Sequence, residues 1–140
     1  FILIAEEASL AFPETSLGTF VGGGATGHLP RLVGPARAKE LVYTGRAVDG
    51  REAVALGLAV RCVPVARLFD EALALARSLA ERAPLSMRFA KRRLQQWPPP
   101  DLETVLALET DAILHCMDTK DWHEGVRAFA EKRKPAFRGE

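Results

Sequence analysis

The chain has 140 residues, 48% of them hydrophobic and 26% charged, with 19 basic and 18 acidic side chains for a net charge of +1. This is the make-up of a soluble globular domain, and its charge balance names neither a nucleic acid nor a membrane surface as partner. No apolar run approaches the ~20 residues of a membrane helix, and Cys62 and Cys116 are too few for a disulfide framework, so a reducing, cytoplasmic setting is expected.

Residues 1–5 read as a buried strand, and residues 9–12 alternate as a second short one beyond the Glu6-Glu7-Ala8 turn. Residues 25–33 predict a short helix stopped by Gly34-Pro35. Pro35 suits the first turn of a second helix over 36–44, ended by Gly45. Ala38, Leu41 and Val42 keep helical spacing there. The pattern repeats over 48–56 with Gly57 as the cap. Residues 58–64 alternate as an edge strand, because Pro64 has no N–H for a central ladder. From Val65 the periodicity is helical, with Leu68, Ala72, Leu75, Ala76 and Leu79 on one stripe that ends at Ala83-Pro84. A helix over 86–96 is broken by Trp97 and the three prolines after it. Asp101 suits the N-cap of a third, which carries Leu102, Val105, Leu106, Leu108, Ala112 and Ile113. Asp121 and Glu124 have the spacing of a capping box, with Asp in place of Ser or Thr, and open a last helix that ends before Pro135. The coarse picture is an α/β region over residues 1–64 and an all-helical region over 65–140.

Chemistry concentrates around residue 14. Pro13 has a fixed φ and no N–H, which stiffens the backbone presenting Glu14. Gly22, Gly23 and Gly24 follow, free to take positive φ and to let a flat ligand approach the main chain. A lone carboxylate beside bare backbone fits general acid–base catalysis. A surface glutamate ahead of a flexible loop would carry the same residues.

Gly22 to Gly27 also fits G-x-G-x-x-G, the dinucleotide fingerprint, and Asp49 lies near the distance of its acidic partner. However, Gly34-Pro35 stops the next helix early and no second βαβ unit follows, so that reading is set aside. Lys91, Arg92 and Arg93 form a basic run without interleaved aromatics, which reads as a solvated helix face rather than a nucleic-acid site. His28, His115 and His123 lack metal-ligand spacing with one another or with either cysteine, so no metal is expected.

Several blocks occur in one order. Pro13-Glu14-x-x-x-Gly18 precedes the glycine turn, then Leu29-Pro-Arg-Leu-Val-Gly34, Leu41-Val-Tyr-Thr-Gly45-Arg46 and Glu52-Ala-Val-Ala-Leu-Gly57. Asp121-Trp-His-Glu124-Gly125 leads to Phe129, Arg133, Pro135 and Phe137. Together, over nearly the whole chain, they resemble the enoyl-CoA hydratase/isomerase (crotonase) family.

The resemblance implies an α/β fold: the C-terminal part of a crotonase ββα superhelix over residues 1–64, containing the acyl-CoA pocket. Residues 65–140 would be a helical oligomerisation region that forms a trimer or a dimer of trimers. Because the chain opens without Met, directly on an apolar strand, it is expected to be the C-terminal half of a longer protein. The two oxyanion-hole N–H groups and a second glutamate would then precede Phe1. Glu14 would be the general acid/base, Pro13, Gly18, Gly22, Gly23 and Gly24 would bound the acyl-thioester pocket, and Lys91 would meet the nucleotide phosphates of CoA.

The implied activity is hydration of a 2-enoyl-CoA through a thioester enolate, with no cofactor beyond the CoA of the substrate. The alternatives are an enoyl-CoA isomerase or another CoA-thioester hydrolase or lyase and, from a different class, a non-catalytic CoA-binding or assembly protein. His28, where the family usually has Arg, and Val21, where it often has Pro, depart from the pattern at the pocket wall and leave the acyl group open.

Overall fold

In the computed structural model, which describes residues 1–96 and 98–140, the first apolar run forms strand β1, Leu3–Ala5. It is shorter than the predicted 1–5 because Phe1 and Ile2 find no cover, whereas Ile4 and Ala5 are buried. β1 pairs in parallel with β4, Arg61–Val63, with Leu3 opposite Arg61 and Ala5 opposite Val63. The strand predicted over 58–64 shrinks because Leu58 and Ala59 turn inward. Their N–H groups both donate to the Ala53 carbonyl, at 2.8 and 3.1 Å, and their side chains enter the core.

A second pair, β2 (Ser9–Leu10) with β3 (Val48–Asp49), is antiparallel. β3 takes the first two residues of the helix predicted over 48–56. Helix α3 therefore runs Gly50–Ala55, capped by Asp49, whose Oδ1 accepts from Glu52 N at 2.8 Å. A Cβ at Gly50 would lie 2.5 Å from the Ala5 carbonyl oxygen, so glycine is what lets α3 begin against β1.

Helices α1 (Ala25–Val33) and α2 (Pro35–Thr44) form where the sequence predicts them, and Gly45 ends α2 in the left-handed region. These elements enclose one apolar cluster of Ile4, Leu29, Ala38, Leu41, Val48, Ala53, Leu58 and Ala59. The chain divides into two compact units, Phe1–Leu73 and Ala74–Glu140, and the cluster lies wholly in the first.

Helix α4 (Val65–Ala80) carries the chain from the first unit into the second. Its start is held by Glu7, whose carboxylate accepts from Val65 N at 3.0 Å and complements the positive end of the helix dipole. In the second unit α5 runs Pro84–Leu94, two residues earlier than predicted, because Pro84 opens the helix from its first turn. Asp101 caps α6 (Leu102–Met117) as expected, with Oδ1 accepting from Thr104 N at 2.9 Å. Trp97, assigned to the break before it, lies outside the described residues.

The capping box expected at Asp121 and Glu124 does not form. Thr119 caps α7 (Lys120–Ala130), its hydroxyl accepting from Trp122 N at 3.2 Å. Asp121 is buried in the first turn of α7, where its oxygens accept from Arg138 N at 2.7 Å and Gly139 N at 2.8 Å. Glu124 accepts from Arg133, Arg127 and the Ala136 N–H. The two carboxylates thus strap residues 133–140 onto α7. A buried carboxylate is tolerable there because both of its oxygens are satisfied.

Candidate active site

Glu14 sits on a 3-10 helix, Pro13–Leu17, that opens on Pro13 and closes on Gly18 at φ +72°. The Glu14 carbonyl accepts from Thr19 N at 3.0 Å. The next residue, Thr15, donates its hydroxyl hydrogen to the Val42 carbonyl at 2.8 Å. That carbonyl belongs to the last turn of α2, where backbone acceptors run out of helical partners. Gly45 backs the same short helix. A Cβ there would lie 3.2 Å from Ser16 Oγ and 3.4 Å from Pro13 Cα, in a turn already at φ +61°.

Glu14 itself is half-buried, and its Oε2 is enclosed with no hydrogen-bond partner among the described residues. Leu17 and Phe20, a few residues on in the sequence, are largely exposed.

The glycine turn follows. Gly23 and Gly24 take φ of +63° and +77°, Ala25 N donates to the Gly22 carbonyl, and Gly24 becomes the N-cap of α1. Apart from flanking residues, no heavy atom among the described residues lies within 4 Å of where a Cβ would stand at Gly18, Gly22 or Gly23, so this backbone is open on that side. At Gly24 a Cβ would meet the His28 ring at 3.3 Å. The 3-10 helix and α1 both pack on α2, so Pro13, Glu14, Gly18 and Gly22–Gly24 are carried by one scaffold in the first unit. Gly27 lies inside α1, and a 3-10 helix rather than a strand precedes the glycines. The dinucleotide fingerprint is therefore present in letters and absent in geometry.

Arg46 stiffens the turn after α2. Its Nε donates to Glu40 at 2.9 Å and its Nη2 to Glu52 at 2.7 Å. The guanidinium groups of Arg37 and Arg46 hold the Glu40 carboxyl below its ordinary range, and the carboxylates of Glu52 and Glu40 raise Arg46 further above its own. Lys91 lies in the other unit, exposed on the last turn of α5 and without an acidic partner among the described residues. His115 meets Phe89 edge-on at 5.3 Å, and no cluster of three or more metal-ligating side chains exists among the described residues.

A sequence profile of the enoyl-CoA hydratase/isomerase family matches residues 1–140. The chain belongs to that family. It is 41% identical over 140 residues to the mitochondrial methylglutaconyl-CoA hydratase of Rattus norvegicus, covering 97% of this chain and 44% of that protein. It is 36% identical over 137 residues to the crotonyl-CoA hydratase of Syntrophomonas wolfei, covering 98% of this chain and 53% of the relative. The crystal structure of an enoyl-CoA hydratase from Bacillus anthracis superposes with a TM-score of 0.92 at 43% identity, over 99% of this chain and 54% of the other. The fold is the crotonase fold, and the chain spans about half the length of the relatives it matches.

The crotonase motifs pick out Pro13, Glu14 and the glycines but leave Thr15 as an unspecified position, and they include Val42 only as part of a helix. Thr15 sits in no helix-cap pattern, and Val42 acts through a carbonyl that every residue type carries. Of this supporting set only Gly45 was readable, as a helix end.

Proposed function

We propose that the protein acts on acyl-CoA thioesters and adds water to a 2-enoyl-CoA, with Glu14 as the proton-transfer group. The observation that carries this reading is the enclosed, unpartnered Oε2 of Glu14 beside an open glycine backbone. A shielded carboxylate oxygen costs desolvation energy that no partner among the described residues offsets, which suits a group whose partner is the substrate. A non-catalytic CoA-binding protein would leave that cost unexplained. The hydratase names of the relatives support the same class of reaction.

In hydration a water oxygen bonds to C3 of the enoyl group while a proton reaches C2, and the thioester oxygen carries the developing enolate charge. Preorganised N–H donors aimed at such an oxygen are worth roughly 2.7–4 kcal/mol each. Glu14 would take the proton from water or deliver it to carbon. Pro13 and Gly18 would fix its helix, and Gly22, Gly23 and Gly24 would floor the thioester pocket. Lys91, an exposed point charge, suits a nucleotide phosphate. No cofactor beyond the substrate's own CoA is required. Isomerisation is the second reading, since moving a proton between carbons can be done by one acid and Glu14 would serve that reaction equally.

The exposed faces of Leu102, Leu106 and Ile113, with Phe129 at 88% exposure, support burial against further copies in a trimer or dimer of trimers. Both cysteines are free thiols, which fits a reducing cytoplasm. No helix among the described residues is long and apolar enough to cross a membrane.

The test is Glu14→Gln in the full-length protein, which keeps shape and removes the titrating group. Turnover of crotonyl-CoA should fall by ~10²–10⁴ with substrate affinity nearly unchanged. Near-normal turnover would sink the assignment. Measuring 3-enoyl-CoA isomerisation alongside separates the two reactions.

A further inference from the structure

The enclosed Oε2 of the Glu14 carboxylate accepts no hydrogen bond from any described residue. No neighbouring donor therefore holds the acid by that oxygen. Its placement is inherited from the backbone of the 3-10 helix Pro13–Leu17, and a helix of five residues is too short to hold its own position. What fixes that helix on α2 fixes the acid. Among the contacts that do so are the Thr15 hydroxyl on the Val42 carbonyl at 2.8 Å and the close approach of Gly45 to Pro13 and Ser16. The first is the directional one, and it falls on the residue next to the acid.

We propose that Thr15 is a positioning residue for Glu14, its hydroxyl fixing the 3-10 helix so that the carboxylate is held at one depth and angle while Oε2 stays unbonded. The inference rests on the proton-transfer role given to Glu14 above. It assigns Thr15 no contact with substrate. Its logic is that an acid tied by its oxygens would have to break those bonds to move a proton. An acid placed through its backbone keeps its reacting oxygen available.

Loss of the tether should leave binding intact and degrade the reacting geometry, where a shift of about 1 Å can cost on the order of 10²-fold in rate. In the full-length protein, Thr15→Val keeps the shape and removes the hydroxyl, whereas Thr15→Ser keeps the hydroxyl and removes a methyl group. The expected result is a kcat for Thr15→Val lowered about tenfold with KM unchanged, and a Thr15→Ser kcat near wild type. If valine does not yield folded protein, Thr15→Ala is read by the same split between kcat and KM. An unchanged kcat in the hydroxyl-free variant overturns the proposal, as does a serine variant as slow as the valine one. Glu14→Gln assayed in parallel keeps the two questions apart. An inactive Glu14→Gln beside a fully active Thr15→Val removes only the positioning role, and an active Glu14→Gln removes the proton-transfer reading beneath it.

Discussion

The two units of this chain handle apolar surface in opposite ways. In Phe1–Leu73 the short strands and α1–α3 close over a cluster in which Leu41 and Val48 lose essentially all contact with solvent. In Ala74–Glu140 Ala128 is the one buried apolar residue among those described, while Leu94, Leu102, Leu106, Ile113, Leu114 and Phe129 face outward. The first unit is organised by its own core. The second is organised by carboxylates: Asp101 at the start of α6, Asp121 and Glu124 on the C-terminal strap. A helical region whose apolar faces are this uncovered presents a surface to be covered.

That contrast breaks most directly in the enclosed core, where the greatest loss of stability is expected. Leu41→Ala should cost about 2–5 kcal/mol in denaturant unfolding, as deletion of an enclosed leucine does. Leu106→Ala should leave the stability of a single subunit within about 0.5 kcal/mol and weaken self-association instead, read by light scattering. Equal losses at the two positions would erase the distinction between the units.

A smaller and local effect concerns the strap. Arg133, Arg127 and the Ala136 N–H hold the Glu124 carboxyl far below the usual carboxylate range. A carboxyl lowered on folding stabilises above its unfolded value, near pH ~4.3, and that contribution fades as pH falls toward the folded value. The strap should therefore be intact at neutral pH and loosen progressively below about pH 4. Amide exchange at Ala136 and carboxyl chemical shifts of Glu124 report this, and Glu124→Gln should raise exchange at neutral pH. The smallest effects should ignore the contrast altogether. Asp49→Ala and Thr119→Ala each remove one helix cap, one per unit, and each should cost about 1 kcal/mol by thermal unfolding. A markedly unequal pair would mean that caps, too, depend on the core beneath them.

Helices α1, α2 and α6 were legible in the sequence because their punctuation is local: Gly34-Pro35, Gly45 and Asp101 each act within a turn. Strands β1, β2 and β4 were legible as segments but not as pairs, and β3 was not legible as a strand. β3 looked like the first turn of a helix because only its partner β2, far back in the chain, makes it a strand. The failed capping box has the same origin. Asp121 and Glu124 have the right spacing, yet their partners are Arg138, Gly139, Arg133 and Ala136, and no periodicity announces those. At the candidate site, the acid and its glycines could be read from residue type. The enclosure of Oε2 and the Thr15 tether to α2 could not, being properties of packing between segments apart in sequence.

The bond from Val65 N to Glu7 joins residues 58 positions apart, and each β1–β4 pair, from Leu3–Arg61 to Ala5–Val63, spans the same separation. Closing a flexible loop of that length carries a chain-entropy cost of about 3.6 kcal/mol. The Thr15–Val42 tether closes over only 27 positions. At ribosomal speeds of roughly 5–20 residues per second, the segment that completes the tether leaves the ribosome about a second or more before the one that completes the strand pair. In order of synthesis, the residues that tether the short helix bearing Glu14 to α2 are therefore all available before β4 can pair with β1.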